Sequence, residues 1–183
     1  MTAASPRRWR PGDPRPDTRA MIRVDQAGEY GATRIYAGQL AVMGDRSATA
    51  RLIAGMANQE ERHRRFFDAM MAERGVRPTL LQPFWDAAGL ALGAATAVMG
   101  PAAAMACTAA VETEIDQHYA DQLEALGDRD PELSHAIADF QADEVEHRAT
   151  AIDQGAESAF AYPLMSAIIR LGCRAAIAAA KRI

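Results

Sequence analysis

Apolar residues recur at alternating steps of three and four along most of the chain, which is the spacing of one face of an amphipathic α-helix. The pattern predicts a first helix over about 19–43, a second over 47–74 and a fourth over 101–126. A fifth helix starts at Pro131, and a last helix runs from about Pro163 to Arg182. The segment before the fourth helix is the possible third. Glycine or proline stands between these segments, as expected at helix ends. The sequence therefore predicts an all-α fold.

The remaining apolar segment follows Trp85 and carries no charge from Ala87 to Val111. It is rich in alanine and glycine and is divided by Gly100-Pro101, so an extra helix at a bilayer surface or in a core is expected rather than a membrane span. The side chains that could lie on a bilayer are Phe84, Trp85, Leu90, Leu92, Val98 and Met99.

The rest of the composition fits one domain. A chain of 183 residues that is 49% hydrophobic can bury a single core. We expect residues 1–18, which are rich in proline and arginine, to be a disordered arm, and residues 19–183 to form one domain. No apolar run follows the N-terminal arginines, which excludes a secretory signal and indicates a cytoplasmic protein. The net charge of -4 disfavours a nucleic-acid partner.

Two of the apolar stripes are interrupted by the same polar pair. Glu60 and His63 stand in the middle of the second helix's stripe, and Glu144 and His147 in the middle of the fifth helix's stripe. A carboxylate buried without a partner is costly, so both pairs need a cation or a strong hydrogen-bond partner. Two intrusions of the form Glu-x-x-His indicate one shared reason.

The first and fourth helices each add one glutamate to the same kind of stripe. These are Glu29 and Glu112, so the order along the chain is Glu, Glu-x-x-His, Glu, Glu-x-x-His. This is the ligand pattern of ferritin-like di-iron and di-manganese four-helix bundles. Oxygen and imidazole ligands suit iron or manganese, and four carboxylates balance two divalent ions. We predict such a bundle, with an extra interfacial helix and a C-terminal helix.

Other polar residues receive simpler interpretations. Glu132 and His135 repeat the Glu-x-x-His form, but Glu132 lies 12 residues before Glu144 and thus about 120° away around the helix. Glu132 is expected to favour the helix N-terminus and His135 to be solvated.

Glu114 and His118 could pair on the surface, while His118 and Tyr119 could equally stand next to the metal ligands. The polar residues Glu61, Arg64 and Arg65 are expected on a solvated face, and the cysteines Cys107 and Cys173 as free thiols.

With these residues in place, the sequence resembles the demethoxyubiquinone monooxygenase (5-demethoxyubiquinone hydroxylase) family of ubiquinone biosynthesis. The resemblance covers the chain from Arg23 nearly to its end, and Gln26 is a departure where many relatives have histidine. It rests on RVDQAGEYGATRIYAGQ (23–39), NQEERH (58–63), AMACTAAVE (104–112), QHY (117–119), DEVEH (143–147) and LGCRAAI (171–177).

The resemblance implies a reaction and a site. The family uses O2 at a reduced pair of iron ions to hydroxylate one ring carbon of demethoxyubiquinol, with electrons expected from NADH. The family's metal ligands carry over onto Glu29, Glu60, His63, Glu112, Glu144 and His147, and His118 matches a family histidine beside them. The implied partners are a polyprenyl benzoquinol, O2, the cytoplasmic face of the inner membrane as a peripheral site, and a lipid-binding accessory protein. A homo-oligomer is left open.

Three alternatives remain at this stage. A ferritin-like iron oxidase or storage protein would use the same six ligands. A di-iron hydroxylase acting on transfer RNA would need a basic surface, which the composition does not offer. A membrane-associated helical adaptor would need no metal, with its buried acids paired to the histidines.

Overall fold

The computed structural model describes Arg10, Gly12 and residues 15–182. These residues contain helices and no strand, which confirms the all-α prediction, and most of the predicted disordered arm over residues 1–18 lies outside the described residues. The helices are α1 (Thr18–Met43), α2 (Ala48–Arg74), α3 (Gln82–Val98), α4 (Pro101–Leu126), α5 (Pro131–Asp153) and α6 (Tyr162–Ala180), with a 3₁₀ turn at Ala156–Ser158.

Short capped connections arrange these helices in antiparallel pairs. Ser47 accepts a hydrogen bond from the backbone N–H of Ala50 at the start of α2, and Asp130 caps α5 in the same way. Because only a few residues join α1 to α2 and α4 to α5, each pair packs side by side. The two pairs face each other and form the bundle, and α3 provides the long crossover between them.

The centre of the bundle is polar, with an apolar cluster on each side of it. One cluster includes Tyr36, Ile53 and Met105, and the other includes Phe67 and Ile137. A fully buried side chain of this size contributes about 1.5–3 kcal/mol. The two clusters therefore offset the cost of burying the charged layer between them.

The crossover helix α3 lies unusually close to α1. A Cβ added at Gly38 or Gly93 would meet backbone atoms of the other helix in less than the space a carbon needs. Glycine at these positions lets the two helix backbones touch. This contact fixes α3 along the outer side of α1.

Helix α6 covers α4 and part of α1. Among the described residues it is the one helix long and apolar enough to cross a membrane. Its apolar stretch has a mean hydropathy of 1.4, and 11% of that stretch is buried. Arg170, near its middle, donates to the carboxylate of Glu114 on α4 at 2.6 Å. The ion pair holds α6 against the bundle, and one side of the helix stays exposed.

Candidate metal centre

Six side chains from four helices meet at the middle of the bundle. They are the six predicted from the sequence, each at most 3% exposed: Glu29, Glu60, His63, Glu112, Glu144 and His147. Their donor atoms form two groups, each within 4.8 Å, and Glu60 and Glu144 belong to both groups. His63 and Glu29 complete one group, and His147 and Glu112 complete the other. The geometry fits two ions that share a pair of glutamates, each with one terminal histidine.

Several donor atoms at this centre lack a hydrogen-bond partner. They include Glu29 Oε2, Glu60 Oε1, both carboxylate oxygens of Glu144, and the Nδ1 atoms of His63 and His147. His147 Nδ1 lies 3.0 Å from Glu60 Oε1, yet neither atom makes a hydrogen bond. Buried polar atoms are rarely left unpaired, so these atoms fit a pair of divalent cations.

The outer nitrogen of each histidine is held by a residue of the opposite helix. His63 Nε2 lies 3.0 Å from Asp143 on α5, and His147 Nε2 lies 3.0 Å from Gln59 on α2. An oxygen acceptor at Nε2 places the proton there and leaves the Nδ1 lone pair directed at the centre. Sequence reasoning missed both partners, although each directly precedes the glutamate of a Glu-x-x-His pair.

Two tyrosines donate to the carboxylates. Tyr36 Oη donates to Glu112 at 2.8 Å, and Tyr119 Oη donates to Glu29. Burial and the neighbouring carboxylates raise the pKa of both phenols well above 10, so both stay protonated and donate. In the sequence, Tyr36 occupies an ordinary position of the first helix's apolar stripe and gives no sign of this hydrogen bond.

Without cations, burial and the repulsion between neighbouring carboxylates disfavour the charged form of the glutamates at this centre. Burial, and then the charge of Glu144, raises the pKa of Glu60 well above its ordinary value of 4.5. Burial and the same neighbour raise the pKa of Glu112. Burial also disfavours the charged form of Glu144, but the rings of His147 and His63, 3.3 and 3.4 Å away, lower its pKa to about 2. Two of the carboxyls therefore take up protons where cations would otherwise neutralise them.

His118 lies inside the protein, and the predicted surface pair with Glu114 is wrong. Glu114 is 6% exposed and pairs with Arg170, because α6 covers this face of α4. His118 Nε2 lies 3.3 Å from Asp25, and the Gln122 amide donates to the same carboxylate at 2.7 Å. Burial raises the pKa of Asp25, and its contact with His118 opposes that rise. Asp25 stands four residues before Glu29, a signal that sequence reasoning did not use.

The remaining polar predictions agree with the structure. His135 is exposed, and Glu132 lies in the first turn of α5, where it accepts a hydrogen bond from Arg74 at 2.7 Å. Arg64 and Arg65 both donate to Glu61 on the outer face of α2. The two cysteines are free thiols: Cys107 is buried and Cys173 is partly exposed.

One cavity adjoins the six residues, and a second lies next to the first. The inner cavity, about 20 Å³, is lined by the four glutamates together with Asp25, His118 and Tyr119. The outer cavity, about 340 Å³, lies between α1, α3, α4 and α6 and is apolar. Of the six side chains that could lie on a bilayer, Trp85 and Leu92 line this outer cavity. The other four, Phe84, Leu90, Val98 and Met99, are exposed.

Comparisons with known proteins point to one family. The chain matches the family described as ubiquinone biosynthesis protein COQ7 over residues 16–180. It is 49% identical to the 3-demethoxyubiquinol 3-hydroxylase of Rhodospirillum rubrum, over 94% of this chain and 82% of that protein. It is 47% identical to the mitochondrial NADPH-dependent 3-demethoxyubiquinone 3-hydroxylase of Homo sapiens, over 89% and 76% of the two chains. The mitochondrial 5-demethoxyubiquinone hydroxylase of Saccharomyces cerevisiae is 41% identical, over 89% and 77%.

Proposed function

The chain belongs to the COQ7 family of ubiquinone biosynthesis proteins, and from this premise we infer that it is a demethoxyubiquinol hydroxylase. The resemblance read from its motifs is thereby confirmed. In the reaction a ring C–H, O2, two electrons and two protons give a ring C–OH and water. The observation that carries this function is a buried layer of four glutamates and two histidines, with unpaired donor atoms, next to an apolar cavity. Iron storage, the alternative from sequence, finds no support among these relatives.

We propose that the six residues of the centre hold two iron ions, which supply the electrons and the binding of O2 when present. Glu60 and Glu144 belong to both donor groups, so they would hold both ions. His63 and His147 would each hold one ion. Asp143 and Gln59 keep the two imidazoles in the tautomer that can bind a cation.

Tyr119 and His118 are proposed as positioning residues next to these ligands. Tyr119 donates to one oxygen of Glu29, which leaves Glu29 Oε2 without a partner and free for a cation. His118 lines the inner cavity and contacts Asp25. Both side chains fix charged groups on the side of the centre that faces α1 and α4.

The outer cavity is the proposed site of the benzoquinol ring. An apolar cavity of about 150 Å³ holds a benzene-sized ring, and this one measures about 340 Å³, which leaves room for the first part of a polyprenyl tail. Its apolar lining favours an apolar substrate over water.

The exposed apolar side chains support a peripheral position on a bilayer, which we propose is the cytoplasmic face of the inner membrane. Phe84 and Val98 lie near the two ends of α3. The outer side of α6 carries Leu164, Ile168 and Leu171, and all five side chains are at least 60% exposed. Sequence reasoning had assigned this contact to α3 alone. Both helices also line the outer cavity, so a tail could pass from the lipid directly into it. A lipid-binding accessory protein could deliver the substrate at the same surface.

A reduced nicotinamide nucleotide is the proposed source of the two electrons. The human relative is named as NADPH-dependent, whereas the resemblance read from the sequence implied NADH. Parallel turnover reactions with NADH and with NADPH distinguish the two.

The test combines metal content with turnover. The protein is purified in mild detergent, loaded anaerobically with Fe(II), and given demethoxyubiquinone, a reduced nucleotide and air, and the hydroxylated quinone is measured by mass. We expect two irons per chain and product from the wild type, and loss of both in His147→Ala. His135→Ala is the matched control, because this exposed histidine of the same helix should leave both unchanged. Iron loading without product would refute the proposed substrate.

A further inference from the structure

The polar contacts of His63 lie at the edge of its ring and leave the tilt of the ring plane open. Its outer nitrogen Nε2 lies 3.0 Å from Asp143, and its inner nitrogen Nδ1 lies 3.4 Å from one oxygen each of Glu29 and Glu144. The last torsion of a histidine side chain has only broad preferences, so it does not fix the plane either. A nitrogen lone pair lies in the ring plane, and the plane therefore decides where Nδ1 points.

The ring of Phe140 lies flat against the face of His63. The two ring centres are 4.0 Å apart, and the two planes differ by 25°. Phe66 and Phe67 meet Phe140 nearly edge-on, with ring centres 5.4 and 5.6 Å away, and hold it in turn. The stack therefore fixes the one feature of the imidazole that its edge contacts leave open.

One helix supplies the stack and two of the edge contacts. Phe140 stands three residues before Asp143 and four before Glu144 in α5, the spacing at which side chains of a helix are neighbours. Phe140 contacts the face of the imidazole, Asp143 its outer nitrogen and Glu144 its inner nitrogen. Helix α5 thus contacts His63 of α2 on three sides.

The other half of the centre has the same spacing but no stack. Helix α2 places Met56, Gln59 and Glu60 at this spacing. Gln59 and Glu60 each lie 3.0 Å from one nitrogen of His147. Methionine thus stands where α5 has Phe140, and among the described residues no aromatic ring stacks on His147. The stack is therefore particular to one half of the centre.

We propose that Phe140 is a positioning residue, whose stack holds the plane of His63 so that Nδ1 faces the carboxylates whether or not an ion is bound. This inference rests on the proposed function, since it takes the ion to be iron. A ring that is already held loses little freedom on binding, and such preorganisation raises affinity. The stack thus adds to the effect of the carboxylate at Nε2.

Phe140→Leu tests the stack, because leucine keeps an apolar side chain and removes the flat ring. In an anaerobic titration we expect Fe(II) to bind about 3–10-fold more weakly at one of its two sites, which matches the usual energy of an aromatic pair. Phe140→Tyr keeps the ring and should bind Fe(II) as tightly as the wild type. Phe66→Leu is the matched control, because Phe66 packs on Phe140 rather than on His63, and it should also keep the wild-type affinity.

The positioning role is refuted if Phe140→Leu binds Fe(II) like the wild type, or if Phe66→Leu or Phe140→Tyr loses as much affinity as Phe140→Leu. Phe140→Met replaces the leucine variant if that protein does not fold. It gives α5 the residue type that α2 carries at this spacing, and the same loss of affinity is expected.

A second readout needs neither iron nor turnover. In the metal-free protein, the ring current of a stacked Phe140 should move the ring protons of His63 upfield in the proton NMR spectrum, and Phe140→Leu should remove this shift. His63→Ala identifies the signals. Ring protons without this shift in the wild type would refute the stack. A wild type that shows the expected contrast in Fe(II) affinity but forms no hydroxylated quinone would refute only the proposed substrate.

Discussion

The close contact between α1 and α3 gives a stability prediction that can be worked out from the structure. In Gly93→Ala the new Cβ would collide with the backbone oxygen of Ile35, and it would lie 2.8 Å from the backbone carbon of Ile35 and 3.0 Å from the backbone nitrogen of Gln39. Carbon atoms in contact prefer separations of about 3.5–4.0 Å. The two helices must therefore move apart by about 1 Å, because backbone atoms cannot rotate away.

The expected cost follows from two opposing effects. A gap of about 1 Å forfeits up to half of the dispersion energy of the atoms that line it, and overpacking costs about 1–3 kcal/mol. Alanine regains roughly 1 kcal/mol of helix propensity. Because the collision involves backbone on both sides, we expect the upper part of this range, with a net loss of about 2 kcal/mol in the free energy of unfolding.

Urea denaturation followed by far-ultraviolet circular dichroism measures this change, with wild type and variant both metal-free. Gly55→Ala is the matched control: no atom lies within 4 Å of its added Cβ, so the same chemical change should stabilise the protein by about 0.5–1 kcal/mol. The reasoning predicts opposite signs for the two variants. A Gly93→Ala protein as stable as wild type would show that the α1–α3 contact is looser than described.

Three further predictions concern the metal centre. The metal-free protein should become less stable as the pH rises from 5 to 8. The pKa values of Glu60 and Glu112 are raised, so the folded state binds more protons than the unfolded state in this range. Urea denaturation of the metal-free protein at pH 5 and at pH 8 measures this, and a higher stability at pH 8 would contradict it. Asp143→Ala should weaken Fe(II) binding by about 10–100-fold in an anaerobic titration, since His63 loses the acceptor that orients it, while exposed Asp139→Ala should not. Tyr36→Phe should lower the free energy of unfolding by about 1–3 kcal/mol, because one oxygen of Glu112 then has no hydrogen-bond donor. An unchanged free energy of unfolding in the same denaturation assay would mean that this hydrogen bond contributes nothing.

Much of the fold and of the candidate site was predictable from local patterns. The helix ends at Gly44 and Pro131 follow from backbone chemistry, and the six clustered residues follow from helical spacing with polar residues in apolar stripes. What failed depended on which helix covers which face. Glu114 was expected to pair along its own helix, but α6 brings Arg170 to it. Spacing within one helix carries no information on such contacts.

Contacts between helices also explain the missed residues. Asp143 and Gln59 act across the bundle, on histidines that lie more than 70 residues away in sequence. The outer cavity likewise exists only because α3 and α6 are placed around α1 and α4. Its lining combines residues that each resemble an ordinary apolar position when read singly.

The crossed partners of the two histidines make the centre asymmetric. His63 is held by a carboxylate, Asp143, and His147 by a neutral amide, Gln59. An imidazole held by a carboxylate is the more basic ligand, so an ion beside His63 would be bound more tightly than one beside His147. The two halves of the bundle look alike in sequence but are unequal in chemistry.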